Sequence, residues 1–269
     1  MKKLLLVLAF VASSFAADLD VFEGLKGSLN IAGGTAHIKA EKEAIKNVMK
    51  KYPDISITIT GGGSGIGIKQ VSSHMIDLAN SGRTPTADEI KNGNLQLYRF
   101  AIDGIGVIVN KDSKLTNLTT KELQDIFSGK IKNFKELGLE DGPINLYTRD
   151  EASATRKVFS KKALENSPIS PSARIVPSNA AMKTVVSRDK NSIGIISLGL
   201  VDNQVKLLSL NGITPSVENI NKNDYKVARG LFLLSSGEPK PLGLAFIKYL
   251  RSQDGAKIIK KYGFIPVNE

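Results

Sequence analysis

The chain has no cysteine and no tryptophan among its 269 residues, and only two histidines. Without cysteine there is no disulfide framework and no thiol to carry a lipid anchor. His37 and His74 stand apart, with no second histidine or cysteine at ligand spacing, which argues against a metal centre. Serine, histidine and aspartate all occur, but no nucleophile elbow or metal-hydrolase motif accompanies them, so nothing points to catalysis. Beyond the first residues no apolar run is long enough to enter a membrane, and there is neither a fixed-period repeat nor a low-complexity linker.

What is present begins with an export signal. Lys2 and Lys3 form a positive start, residues 4–12 an unbroken apolar run too short to span a bilayer, and Ser14-Phe15-Ala16 a small-x-small cleavage site. Residues 1–16 therefore read as a cleavable signal peptide, and the mature protein is expected to begin at Ala17, free in the periplasm and not a lipoprotein. Its 253 residues fit one large domain or two lobes, each able to bury a core. With Lys2 and Lys3 gone, 35 basic residues face 26 acidic ones, a formal +9. The lysines are scattered through helical stretches such as 39–51 and 157–162, so they read as solvated helix faces rather than a nucleic-acid surface. The residual effect is a mild pull on anionic solutes.

Apolar strand-like runs alternate with amphipathic helical runs, the pattern of an α/β fold with mixed, mainly parallel sheets. Residues 29–32, 55–59, 76–79, 105–109, 144–147, 193–196 and 227–234 read as strands. Residues 36–50, 66–73, 120–127, 155–164, 180–187, 242–252 and 254–262 read as helices. Crossing strands explain this arrangement better than a flexible tether. The expected division is one lobe from 17–103 and 228–269, and a second from 104–227.

Five glycine-, serine- and threonine-rich segments stand where a strand should hand over to a helix or bend: 32–36, 61–65, 80–83, 101–104 and 149–156. A helix start carries unpaired N–H groups and about half a positive charge, so several aimed at one point can hold a doubly charged anion without a metal. The glycine run at 61–65 is not a nucleotide loop, because Lys69 follows Ile68 and precedes Gln70, and it does not fit the dinucleotide fingerprint. It reads either as a turn of close backbone approach with the Ser64 hydroxyl at a helix start, or as a flexible turn with Ser64 as an ordinary cap. Arg149, at a strand end, offers a planar fork of donors that Glu151 could hold in place. Ser153 and Thr155 add hydroxyls, and the N–H groups of Ala154 and Thr155 open the next helix. The plainer alternative is a surface salt bridge followed by a capping serine.

In order along the chain, Ala32-Gly33-Gly34-Thr35, Gly63-Ser64-Gly65-Ile66-Gly67, the D-L-A-N-S-G-R string at 77–83, Asp103-Gly104-Ile105, the L-Q-D-I-F-S-G-K string at 123–130, residues 149–156, the I-G-I-I-S-L-G string at 193–199 and the Y-G-F-I-P-V string at 262–267 resemble the phosphate-binding proteins of bacterial high-affinity phosphate ABC transporters. The resemblance covers essentially the whole mature chain. It implies a two-lobed, hinged periplasmic solute-binding fold (Venus-flytrap, type II) that holds inorganic phosphate or a similar oxyanion between the lobes. It also implies delivery to an inner-membrane ABC permease, with no catalysis, no cofactor and no nucleic-acid partner, by a monomer. Carried over by position, Thr35 and Ala36 supply first-loop contacts, Ser64 the second, Ser81 and Arg83 belong to the third, and Arg149, Ser153, Ala154 and Thr155 form the opposite wall. Where the family has G-S-T, S-S-R and S-G-T, this chain has Gly33-Gly34-Thr35, Ser81-Gly82-Arg83 and Ser153-Ala154-Thr155. The backbone donors survive these changes.

Asp103, at the lobe crossing, is the candidate acceptor for the proton that phosphate keeps and sulfate lacks; it could equally be a turn-forming residue before Gly104. Other functions compatible with the chain are the same fold with another oxyanion or a small phosphorylated metabolite and, more weakly, a secreted phosphatase or an adhesive surface protein.

Overall fold

The computed structural model describes residues 18–267; the signal peptide inferred at residues 1–16 lies outside them. After a 3-10 turn at Asp18–Phe22 come β1 (Gly27–Gly33), α1 (Ile38–Lys51), β2 (Ile55–Thr60), α2 (Ser64–Ser72), β3 (Leu78–Ser81) and α3 (Ala87–Gly93). A long strand, β4 (Leu95–Asn110), leads to β5 (Asn117–Leu118), α4 (Thr120–Ser128), β6 (Asn145–Arg149), α5 (Ala154–Lys162), β7 (Arg174–Val176), α6 (Asn179–Arg188) and β8 (Ser192–Ser197). Then follow β9 (Val205–Leu207), β10 (Ser209–Leu210), α7 (Val217–Asn221), the returning strand β11 (Ala228–Ser236), α8 (Pro241–Arg251), α9 (Gln253–Lys261) and β12 (Ile265–Pro266). Among the described residues no helix is long and apolar enough to cross a membrane.

The local sequence accounts for the elements around the cleft. In α1, Ala40, Ala44, Ile45 and Val48 recur at helical spacing and are buried, the stripe a helix presents to a core. In β2, Ile55 and Ile57 are buried while Ser56 and Thr58 face out, the period of a half-covered strand. α4 opens on a capping box between Thr119 and Glu122 and stops at Gly129 in the left-handed region, φ 80°, which are sequence-visible start and stop signals.

The main sheet runs β2-β1-β3-β11-β4-β8-β6-β7. It is mixed. Its flanks are parallel, β2 and β3 on β1 and β7 and β8 on β6, and its middle is antiparallel, with β11 between β3 and β4 and β4 against β8. The central strands link two apolar clusters. One packs β1 and β2 with α1, α8 and α9 and takes Phe100, Ala101, Leu231 and Leu233 from the crossing strands. The other packs β6 and β8 with α4, α5 and α6 and takes Ile105, Val107 and Val227. The result is an α/β protein of two lobes joined by crossing strands. At the point of crossing, Asp103 on β4 and Arg229 on β11 are register partners.

Candidate functional site

The ends of β1, β2 and β6 deliver the starts of α1, α2 and α5 to one small cavity between the lobes. One side is lined by Gly34, Thr35, Ala36, Gly63, Ser64 and Gly82, the other by Arg149, Ser153, Ala154 and Thr155, and Arg229 reaches in from the crossing. No carboxylate and no imidazole is among the lining groups. The cavity is small, about 10 Å³.

Close backbone approach builds this cavity. Gly33 has φ 128°, and a Cβ on it would lie 2.4 Å from the Asn80 carbonyl oxygen, so only glycine fits. A Cβ at Gly82 would lie 2.8 Å from Arg229 Nη1; the small residue leaves room for the guanidinium. The lobes touch across the cleft, with Gly65 N–H donating to Ala152 O at 3.0 Å and Asn179 Nδ2 to Thr35 Oγ1 at 3.1 Å.

The wall is made of donors. The N–H groups of Thr35, Ala36, Ser64, Ala154 and Thr155 have no acceptor among the described residues. The four wall hydroxyls, of Thr35, Ser64, Ser153 and Thr155, each accept a bond inside the protein and so keep their own proton for a ligand. Ser64 Oγ accepts from Gly82 N–H at 3.0 Å, Ser153 Oγ caps α5 by accepting from Arg156 N–H at 3.3 Å, and Thr35 Oγ1 accepts from Asn179. Ser64→Ala is expected to weaken anion binding by on the order of 1–2 kcal/mol, a neutral donor lost to a charged ligand. Calorimetric titration of the variant checks it.

Two arginines supply full charges. Arg149 is 1% exposed; its Nε donates to Val176 O at 3.0 Å and its Nη2 to Pro177 O at 2.9 Å, which leaves Nη1 without an acceptor among the described residues. Burial pushes its pKa down, with Asp150 opposing and Arg229 adding to the effect. A buried cation short of a partner is stabilised by an incoming anion. Glu151, expected to hold Arg149, instead pairs with Arg156 at 2.6 Å and points outward, while the nearest carboxylate to Arg149 is Asp150 at 3.5 Å. The turn between β6 and α5 has carried Glu151 past the guanidinium.

Arg229 Nε and Nη2 grip Asp103 Oδ2 at 3.0 and 2.9 Å, and Nη1 donates to Thr155 Oγ1 at 3.0 Å. Asp103 thus differs from its expected role. It does not line the cavity but lies behind Arg229, its other oxygen accepting from Ser197 Oγ at 3.0 Å. Burial raises its pKa, against the pull of Arg229 and Ser197. Arg229 itself was not anticipated, although an arginine inside the apolar run at 227–234 is a signal, since a charge there requires a buried partner.

Ser81 and Arg83 also stand off the cavity. Ser81 Oγ donates to Arg83 O at 2.7 Å, and the Arg83 guanidinium forks onto Glu89, each bond 2.7 Å. Glu89 in turn caps α3 by accepting from Thr86 N–H at 2.8 Å. The third segment therefore contributes Gly82 to the wall and uses Arg83 to brace it. Arg83 holds the Glu89 carboxyl down to about 2. For an acid with a lowered folded-state pKa, the stabilisation is present above the ordinary value and is lost as pH falls through the folded one. Wild type is expected to lose stability from about pH 5 towards pH 2 more steeply than Glu89→Gln, as thermal melts across that range would register.

A two-lobed chain with a donor-lined, carboxylate-free cavity between its lobes has the architecture of the solute-binding proteins. The PBP superfamily domain matches residues 23–254. Phosphate-binding protein PstS of Bacillus subtilis (strain 168) is 33% identical over 251 residues, covering 92% of this chain and 83% of that protein. With these matches the chain belongs to the PBP superfamily and, within it, to the phosphate-binding protein family of phosphate ABC transporters. PstS of Borreliella burgdorferi is 27% identical, over 99% of both chains. Among solved structures, a phosphate ABC transporter substrate-binding protein with bound phosphate from Clostridium perfringens superposes with a TM-score of 0.84 at 30% identity, covering 90% of this chain and all of that one. An ABC-type phosphate transport receptor from Vibrio cholerae gives 0.72 at 30% identity, over 88% and 99%.

Proposed function

We propose that this protein captures inorganic phosphate between its lobes and hands it to an ABC permease in the membrane, with no chemistry of its own. The observation that carries this reading is the convergence of Arg149, Arg229, four hydroxyls and three helix starts on a cavity whose wall has no carboxylate. Closing the lobes replaces the water around the anion with fixed donors, and release requires the permease to favour the open form. Residues 17–103 with 228–269 form one lobe and 104–227 the other, a division supported by the apolar clusters. Thr35, Ala36, Ser64, Arg149, Ser153, Ala154 and Thr155 hold the anion with Gly82 and Arg229, while Ser81, Arg83 and Asp103 support them from behind.

The size of the cavity favours a bare tetrahedral oxyanion over a phosphorylated metabolite. Calorimetric titration of the ligand-stripped protein with phosphate, arsenate, sulfate and molybdate tests the assignment. Phosphate and arsenate binding at one site is expected. Failure of both to bind overturns it. Because no carboxylate lines the wall, discrimination against sulfate rests on hydroxyl oxygens alone and is expected to be smaller than a facing carboxylate would impose.

The protein acts as a periplasmic monomer released by cleavage after Ala16. Intact-mass measurement of exported protein is expected to give a chain starting at Ala17 with no lipid; retention of Met1 or a lipid adduct contradicts this.

A further inference from the structure

Beside the first anion loop lies a second polar cluster that the cavity does not use. His37, Glu41 and Asn80 are all 0% exposed. Asn80 Nδ2 donates to Glu41 Oε2 at 2.6 Å, and His37 Nε2 stands 4.0 Å from the same oxygen. The His37 ring meets Phe100 edge-on, centroids 5.4 Å apart. His37 Nδ1 and Nε2, Glu41 Oε1 and Asn80 Oδ1 are buried without a hydrogen-bond partner.

The surroundings decide the charge of this cluster. The residue before α1 is His37, β3 contributes the neutral Asn80 and β4 the ring of Phe100, while Arg229 on β11 acts on His37 only through its field. No lysine or arginine pairs with Glu41 among the described residues. A carboxylate wholly out of water with one hydrogen bond and no cation is costly, and such a group keeps its proton instead. Burial accordingly raises the Glu41 pKa well above the usual carboxyl range. Burial, with Arg229 adding to it, holds His37 down to about 3. Both shifts favour the uncharged forms, and a protonated Glu41 offers its O–H as a donor beside an imidazole that lacks partners.

The cluster is tied to the anion loops. The Asn80 carbonyl accepts the Gly34 N–H at 2.8 Å. Two residues on, Gly82 N–H donates to Ser64 Oγ at 3.0 Å. Glu41 sits one turn into α1, whose lead-in residues Thr35 and Ala36 line the cavity. The bond from Asn80 to Glu41 therefore joins the first loop to the third.

We propose that Glu41 works as a neutral carboxylic acid, a positioning residue that sets the Gly34 and Gly82 loops around the anion through Asn80 and keeps negative charge away from the cavity. The positioning role rests on the anion-binding reading of that cavity. An ionised Glu41 would place an unpaired negative charge beside the first anion loop and repel the ligand.

Two measurements on the full mature protein test it. Infrared difference spectra of ligand-free wild type against Glu41→Gln, at neutral pH, are expected to contain the carbonyl stretch of one un-ionised carboxyl. Titration with inorganic phosphate is expected to give Glu41→Gln an affinity within about threefold of wild type, since the amide mimics a neutral acid, while Glu41→Ala loses roughly tenfold or more. If Glu41→Ala does not fold, Asn80→Ala severs the same tie and is expected to show the same loss. Absence of the carbonyl band, or a Glu41→Gln protein as weak as Glu41→Ala, overturns the proposal. A wild type that shows the band but binds no phosphate refutes the anion-binding reading, and the positioning role falls with it.

Discussion

Arg149→Ala is expected to lower phosphate affinity by roughly 2–5 kcal/mol, the usual cost of removing one partner of a buried, charge-assisted contact. That corresponds to about thirtyfold to several-thousandfold in Kd. The size follows from the surroundings of Arg149. It is almost wholly buried, its Nε and Nη2 are fixed by the Val176 and Pro177 carbonyls, and the remaining nitrogen is left for the ligand. Little reorganisation is needed when the anion arrives, so most of the interaction appears as affinity. Arg149→Lys keeps a charge but loses the fork, and should fall between wild type and alanine. A change of less than threefold for Arg149→Ala would remove this residue from the site.

Arg229→Ala is expected to act on stability as well as on binding. Asp103 is 1% exposed and accepts two of the three bonds to Arg229 at the lobe crossing; without the guanidinium it becomes a buried carboxyl with only Ser197 Oγ as side-chain partner. Breaking a buried pair from one side typically costs about 3–5 kcal/mol, because the partner is left uncompensated. Denaturant unfolding of the ligand-free variant measures this directly. The double variant Arg229→Ala/Asp103→Ala should recover part of the loss, since the stranded charge is gone and the two effects are coupled. A stability change under about 1 kcal/mol for Arg229→Ala would mean that the pair is not what holds the crossing strands in register.

Much of the fold is legible along the chain because its signals are local. The alternation of Ile55, Ile57 and Ile59 with polar residues announces β2, and the Thr119 to Gly129 caps announce α4. The elements that escape notice lack such signals or send a misleading one. Residues 101–104 read as a bend because Asp-Gly is a turn pair, yet β4 runs through them. Gly104 is there for packing, as a Cβ on it would lie 2.3 Å from Leu198 Cδ1. α3 has one large apolar residue, Ile90, in seven, so periodicity cannot find it, though its Thr86 and Glu89 capping box could. At the site, the glycine turns and helix starts that line the cavity are visible as segments. The partner of each charge is not, because the folded backbone decides it: Asp103 meets Arg229 across 126 residues, and the turn before α5 carries Glu151 past Arg149, two residues away, to Arg156.

The proposed function requires donors from both lobes to enclose one phosphate ion in the interlobe cavity. A crystal structure of the mature protein grown with phosphate tests it most directly. The expected result is a single anion within hydrogen-bonding distance of Arg149 Nη1, Ser64 Oγ and the N–H groups of Ala154 and Thr155, with Asp103 still held by Arg229. An empty cavity at saturating phosphate, or an anion seated elsewhere with the lobes apart, would contradict it.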